Sequence, residues 1–416
     1  MQISSEKNFL GLGIAPSILS VIQRHKFIDP TPIQAKAIPI ALEGKDLVGI
    51  AQTGTGKTLA FGIPMIQYAL QNKGIGLIVL PTRELALQVK EVLHLIGASF
   101  GIRTALLIGG APMWRQISDI RRQPNIIIGT PGRIIDHLDQ RILNLSGVKM
   151  LVLDEADRML DMGFAPQLKR ILQFVPAERQ TLLFSATMPP PIMQIARAFM
   201  KLPVQIEIVP SGTAATNVTH EVFIVPREKK GALLIKLLGD YRGSVLIFMR
   251  TKFGAKKVAR DLRNARHTAV EIHSNRSLGQ RREALDGFKN GRYRILVATD
   301  IAARGIDVTG IELVLNYDLP MQAEDYVHRI GRTGRAGASG HAISFATPDQ
   351  QGDLRTIEKL LRKSLPLAKL PESLPTPPPP PPGSRPSHSG HQNYSRTNRS
   401  FSENRKRRDF NQRRRY

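Results

Sequence analysis

Asp46-Leu-Val-Gly-Ile-Ala51-Gln-Thr-Gly-Thr-Gly56-Lys57-Thr58 starts as a short apolar run, passes through a glycine-rich turn and opens a helical stretch. The turn is a P-loop with Ala51 in the first glycine position. In Ala51, Gln52, Thr53, Gly54, Thr55 and Gly56 the glycines let backbone N–H groups curl around phosphate oxygens, and the helix that follows adds its positive end. Lys57 is placed to reach the outer phosphates of a nucleoside triphosphate, and Thr58 to ligate Mg²⁺ through its hydroxyl. A P-loop also needs a carboxylate at the end of a neighbouring strand. Met150-Leu-Val-Leu-Asp154-Glu155 supplies one: Asp154 holds the metal shell, and Glu155 orients or deprotonates the attacking water.

Outward from this loop, apolar runs alternate with longer helical stretches, which predicts α/β architecture with parallel sheets. One series comprises Asp46–Ala51, Gly76–Pro81, Thr104–Gly109, Asn125–Pro131, Met150–Ala156 and Thr181–Thr187. A second comprises Val245–Met249, Ala269–His273, Ile295–Asp300, Leu313–Asp318 and His341–Ala346. Eleven strands are wide for one sheet, and the small, polar stretch 209–217 separates the series as a linker. The expected division is 1–208, linker 209–217, 218–365 and a tail 366–416. Polar clusters follow the runs in both halves, so each half presents a functional edge at the carboxyl ends of its strands.

The second half has no P-loop: Val245–Met249 leads into Arg250-Thr-Lys-Phe253. It carries Arg332 and Arg335 instead, candidate arginine fingers for charge developing on a transferred phosphoryl group. The 416 residues carry a net charge of +25, which favours a polyanionic partner but also fits a ribosome-associated or merely very soluble protein. There is no Cys, which excludes disulfides, thiolate zinc sites and a Cys nucleophile. The N-terminus lacks a signal-peptide pattern, and no apolar stretch nears the roughly 20 residues of a membrane span. A cytoplasmic protein without membrane contact is expected.

Beyond Leu365 a proline run, Pro377–Pro382, gives way to a segment rich in Ser, Asn and Arg. From Thr376 onward ten basic residues face two acids, and Tyr394, Phe401, Phe410 and Tyr416 are interleaved with them. That mixture suits loose single-strand binding by phosphate contact and base stacking, or a solubilising tail. Near the other end, Gln34 follows Pro30-Thr-Pro-Ile. A glutamine amide pairs with adenine N6–H₂ and N7 together, which selects ATP over GTP.

These residues, in this order, resemble the DEAD-box RNA helicases: AQTGTGKT (51–58), PTRELA (81–86), TPGR (130–133), Asp154-Glu-Ala-Asp157, Ser185-Ala-Thr187, ARGID (303–307) and His328-Arg-Ile-Gly-Arg332-Thr-Gly-Arg335. The resemblance runs from about Phe9 to Leu365 and looks most like the bacterial RhlE branch. It implies two tandem RecA-like α/β domains with parallel sheets and a disordered basic C-terminal tail. ATP and Mg²⁺ are the implied cofactors. The implied partners are single-stranded or short duplex RNA and the proteins of ribosome assembly or RNA decay, with the chain a monomer. Phe9, Phe27 and Gln34 take the positions around the adenine, and Asp307 meets the nucleotide from the second lobe. Ser185, Thr187 and His328 couple hydrolysis to strand separation. Arg83, Gly110, Thr130 and Arg133 of the first lobe, with Arg250, Thr251, Gln280, Arg281, Thr299 and Arg304 of the second, contact RNA. Lys26 and Ser274 depart from the family by standing where Gly is common. Alternatives from other classes are a DNA-stimulated translocase, an ATP-independent RNA chaperone acting through the tail, and a transport or signalling ATPase.

Overall fold

The computed structural model describes residues 8–52, 54–72, 74–208, 218–303, 308, 310–334 and 339–374. Among them run fourteen strands in two sheets: β1 Leu47–Ile50, β2 Ile75–Val79, β3 Thr104–Leu107, β4 Ile126–Gly129, β5 Val148–Leu153, β6 Gln180–Ser185, β7 Val204–Glu207, β8 Val218–Ile224, β9 Val245–Met249, β10 Ala269–Ile272, β11 Ile295–Thr299, β12 Leu313–Asn316, β13 Gly340–Ala346 and β14 Leu367–Ala368. The first sheet is ordered β3-β4-β2-β5-β6-β1-β7 and the second β10-β11-β9-β12-β13-β8-β14. Adding seven to each strand of the first sheet reproduces the second, so the topology is duplicated. Every strand pairing in both sheets is parallel.

Parallel sheets are covered on both faces, so their strands read as continuous apolar runs. In the first sheet, Ile78, Ile126, Ile128, Val152 and Leu182 belong to one core, while Leu77, Val79, Ile127, Leu151 and Leu183 belong to the other. Successive residues alternate between faces, as the two-residue period of a strand requires. The second sheet divides in the same way, with Val245, Ile247 and Met249 on one side and Leu246 and Phe248 on the other.

Three strands escape the sequence reading: β7, β8 and β14. All are partly exposed or very short, which weakens their hydrophobic pattern. The omission of β8 corrects one inference. The counterpart of the P-loop strand β1 is β8, which leads into Val225-Pro-Arg-Glu, and not β9. β9 is the counterpart of β2, so Arg250-Thr251 matches the end that carries Thr82-Arg83. Both threonines cap the next helix by accepting a backbone N–H, Thr82 from Leu85 and Thr251 from Gly254. β14 lies beyond the expected edge at Leu365 and pairs with β8 through Leu367 and Ala368. The stretch 209–217 and the residues from 375 onward lie outside the described residues. Among the described residues, no helix is long and apolar enough to cross a membrane.

Candidate nucleotide site and inter-lobe seam

Gly54 and Gly56 in the turn after β1 have φ of +87° and +90°, which side chains with a Cβ rarely adopt. Gly56 leads directly into the helix Lys57–Gln71. Thr55 Oγ1 donates to the Gln52 carbonyl at 2.7 Å and tightens the loop. Lys57 is 6% exposed, and its ammonium donates to the Ala51 carbonyl at 3.0 Å and lies 3.6 Å from Asp154 Oδ1. It is thus held between the loop and the end of β5, with Thr58 half-buried beside it.

Asp154 accepts the Glu155 backbone N–H at 2.9 Å. Burial pushes its carboxyl up to about 6, and the Lys57 ammonium pulls in the opposite direction. A buried carboxylate of that kind gains by meeting a cation. One carboxylate and one hydroxyl beside a phosphate loop suit Mg²⁺, which keeps water and phosphate oxygens among its ligands. Among the described residues no group of three or more His, Cys, Asp or Glu side chains could hold a metal. Glu155 has φ +52° and is 2% exposed, with Oε2 3.6 Å from Arg158 Nε. A left-handed backbone on a non-glycine residue costs roughly 1–3 kcal/mol. Here it turns the chain from β5 into the helix Ala156–Asp161.

The task of Asp157 is not written in its motif. Its Oδ2 accepts the backbone N–H groups of Ala186 and Thr187 at 3.0 and 2.9 Å and the Thr187 hydroxyl at 3.1 Å. Its own N–H donates to Ser185 Oγ at 3.1 Å. Four hydrogen bonds therefore fasten the end of β6 to the end of β5. An acidic residue type was visible in sequence; hydrogen-bond partners about thirty residues away were not.

On the other flank, the helix Pro16–Arg24 ends in a turn where Lys26 N–H donates to Gln23 O at 2.9 Å and Phe27 N–H to Ile22 O at 3.2 Å. This Schellman geometry needs a left-handed residue. Lys26 supplies it at φ +61°, a conformation that glycine adopts without strain. Phe27 is thereby fixed half-buried against the first core, which also holds Phe9. Gln34 makes two contacts besides its expected use. Its Oε1 accepts the Thr31 N–H at 2.9 Å and its Nε2 donates to the Gly56 carbonyl at 2.9 Å. The amide so braces the P-loop against the helix Pro32–Leu42, and one N–H and one lone pair remain for a base.

Of the expected RNA contacts, Arg83 lies directly beneath Gly109 and Gly110, where any Cβ would meet its guanidinium. Burial lowers its pKa, and Arg281 across the cleft lowers it further. Arg133 donates to the Ala111 carbonyl at 3.3 Å, and Thr130 stands just before the first turn of the same helix, Pro131–Asp139. Gln116 donates to the Ile108 and Ala111 carbonyls at 3.0 and 3.2 Å. The loop through Gly110 is therefore held from three sides. In the second lobe, Arg250 is exposed with Nη2 on the Leu319 carbonyl at 3.3 Å, and Gln280 spends Oε1 on the Ser277 N–H at 3.1 Å. Thr299 ends β11, half-buried. Arg281 departs from the expectation: it is 7% exposed and its Nε lies 2.7 Å from Glu84 Oε1 of the first lobe.

That ion pair is one part of a seam between the lobes. Leu278 packs against the first-lobe core. Further along, Arg158 of the first lobe lines one tight cleft with Phe248, Asp300, Asp325, His328, Arg329 and Arg332 of the second. Burial, and next the Arg158 guanidinium, push the His328 imidazole down to about 3. Arg332 is 2% exposed within this cleft. Its neighbour Arg329 is architectural: it grips Asp300 through Nε at 2.6 Å and Nη2 at 2.7 Å, donates to Asn316 Oδ1 at 3.0 Å and stacks on Phe248 at 5.0 Å. Sequence reasoning assigned no role to Arg158, Arg329 or Glu84, because an ion pair's partner is not written in its spacing. Thr53, Arg304, Asp307 and Arg335 lie outside the described residues.

A family model described as DEAD/DEAH box helicase matches residues 31–195, and one described as helicase conserved C-terminal domain matches residues 229–337. The chain is 44% identical to the ATP-dependent rRNA helicase RRP3 of Debaryomyces hansenii over 86% of its own length and 76% of that protein. It is 45% identical to the DEAD-box ATP-dependent RNA helicase CshA of Geobacillus kaustophilus, over 87% and 78%. Among solved structures, S. cerevisiae Dbp5 bound to RNA and ADP BeF3 superposes with a TM-score of 0.79 at 31% identity, covering 87% of this chain and 95% of that one.

Proposed function

Because the chain belongs to the DEAD-box family of ATP-dependent RNA helicases, we propose that it uses closure of its two lobes to hydrolyse ATP and to part short RNA duplexes locally. The single observation that carries this reading is the seam. Glu155 of the ATP-side lobe meets Arg158, and Arg158 shares a cleft with His328 and Arg332 of the facing lobe. Neither lobe contains the whole set.

In this reading the P-loop and Lys57 bind the triphosphate, and Thr58 and Asp154 hold the Mg²⁺, which neutralises phosphate charge when bound. Glu155 positions the attacking water. Arg332 and Arg335 neutralise the transferring phosphoryl group once the lobes close. Asp157 ties this chemistry to Ser185 and Thr187, so a change at the phosphate moves the end of β6. RNA is gripped by its sugar–phosphate backbone at Arg83, Gly110, Thr130 and Arg133 and at Arg250, Thr251, Gln280, Thr299 and Arg304. Such contacts carry little sequence preference. The path bends, a duplex cannot follow it, and base pairs open. Phosphate loss reopens the cleft. Lobes 1–208 and 218–374, joined by 209–217, are the working parts, with β14 extending the second lobe past the expected edge at Leu365, and the chain acts as a cytoplasmic monomer. The basic segment after Pro382 supports the RhlE branch, and the rRNA named for RRP3 supports ribosome assembly ahead of RNA decay.

Lys57→Ala is expected to abolish ATP turnover, and Glu155→Gln to bind ATP and retain RNA longer in a gel shift. Near-normal turnover by the first variant, or faster RNA release by the second, overturns the assignment. Stimulation by DNA in place of RNA would select the translocase reading.

A further inference from the structure

We propose that Trp114 and Phe253 are base-stacking platforms, one on each lobe, which hold RNA bases beside the backbone path; this deepens the proposed function and rests on it. Trp114 is 66% exposed and Phe253 72% exposed, whereas most large apolar side chains among the described residues are buried. Both stand in the first turn of a helix at the functional edge of a sheet, Met113–Arg121 and Lys252–Asn264. Each follows an expected RNA contact within a few residues: Gly110 before Trp114, Arg250 and Thr251 before Phe253.

The chemistry of their neighbours points to the occupant. The Arg115 guanidinium lies 5.1 Å from the Trp114 ring centroid, and the Lys252 ammonium 5.3 Å from that of Phe253. A cation covering an aromatic ring pairs a phosphate contact with a π-face, which is the combination single-stranded nucleic acid rewards. The helix Met113–Arg121 adds Arg121, with Arg122 just beyond it, against one acid, Asp119. Among its residues only Gln116 is buried, and that side chain is spent on the Ile108 and Ala111 carbonyls. Arg133 reaches Ala111 and the Met113 sulfur from the adjacent helix, so the ring stands on a firmly held base. A third pair, Arg292 on Tyr293, lies at the opposite end of the strands before β11. Its hydroxyl donates to Glu283, so a carboxylate stands beside the ring and repels a phosphate there.

Trp114 is the sole tryptophan of the chain, so its emission reports on one site. The full-length protein is titrated with a uridine 12-mer and with an abasic 12-mer of the same backbone, and binding is followed in parallel by anisotropy of end-labelled RNA. The expected result is quenching of the emission by about half with the uridine RNA and none with the abasic one at equal saturation. Trp114→Ala is expected to weaken uridine 12-mer binding about tenfold, with Trp114→Phe restoring most of it, and the affinity for the abasic RNA unaltered. Phe253→Trp in the Trp114→Phe chain should acquire the same quenching. Equal emission with both RNAs, while both bind, overturns the platforms and leaves the helicase reading intact. Failure of both RNAs to bind overturns both.

Discussion

Lys26 is the residue where a local conformation and a distant site meet. Its left-handed backbone ends the helix Pro16–Arg24 and sets where Phe27 lies, yet its Cβ is a liability there. Lys26→Gly removes that clash without touching a contact. The expected outcome is a stabilisation of about 1 kcal/mol, read as a higher denaturation midpoint, with ATP turnover kept. Asp154 has the opposite character, a functional group whose ionised form the fold disfavours. Its folded value of about 6 stands above the ordinary 3.8, so its contribution to stability is greatest below 3.8 and is lost as pH rises through 6. Magnesium needs the ionised form, so Mg·ATP affinity should fall about tenfold per pH unit below 6. Titration of a fluorescent ATP analogue from pH 7.5 to 5 checks this, and a flat profile would deny Asp154 the metal.

Elements were legible in proportion to how deeply they are buried. β4, Ile126-Ile-Ile-Gly129, and β9 are buried at every position, and their apolar runs announced them. β7 exposes alternate residues and β14 has only two, so neither stood out. β14 has a practical consequence. It extends the second sheet along β8, and Ala368 and Leu374 pack against the core behind it. Truncation after Leu374 should leave the thermal midpoint unchanged and flatten the salt dependence of RNA binding. Truncation after Leu365 should lower the midpoint by several degrees, about 1–3 kcal/mol of lost edge pairing and burial. Equal midpoints for the two chains would mean that β14 contributes nothing.

At the scale of the whole molecule, the Glu84–Arg281 pair is a buried ion pair between the lobes, beside Leu278 packed on the first core and the cleft of Arg158 and His328. Both side chains are buried, so removing one leaves the other charged without its partner, at a cost of roughly 3–5 kcal/mol to the closed arrangement. Glu84→Gln should therefore raise the RNA concentration needed for half-maximal ATPase by tenfold or more, at an order of magnitude set by that cost. The exchange Glu84→Arg with Arg281→Glu should recover part of the loss. Steady-state ATPase over an RNA series gives the answer, and an unchanged half-maximum would reduce the pair to packing.

The sequence by itself determined the chemistry of the ATP side. A glycine-rich turn, the Lys-Thr pair and a carboxylate after an apolar run are local patterns, and local patterns survive in one dimension. It also determined the fold class, because parallel strands buried on both faces leave unbroken apolar runs. Tertiary structure alone decided the pairings: Asp157 with the end of β6, Gln34 with the P-loop, Arg281 with Glu84, Arg158 with the cleft of His328 and Arg332. Each joins residues tens to hundreds of positions apart. Charge and hydrogen-bonding capacity are written in a residue's identity, but the partner that satisfies them is fixed only when the backbone brings two edges together.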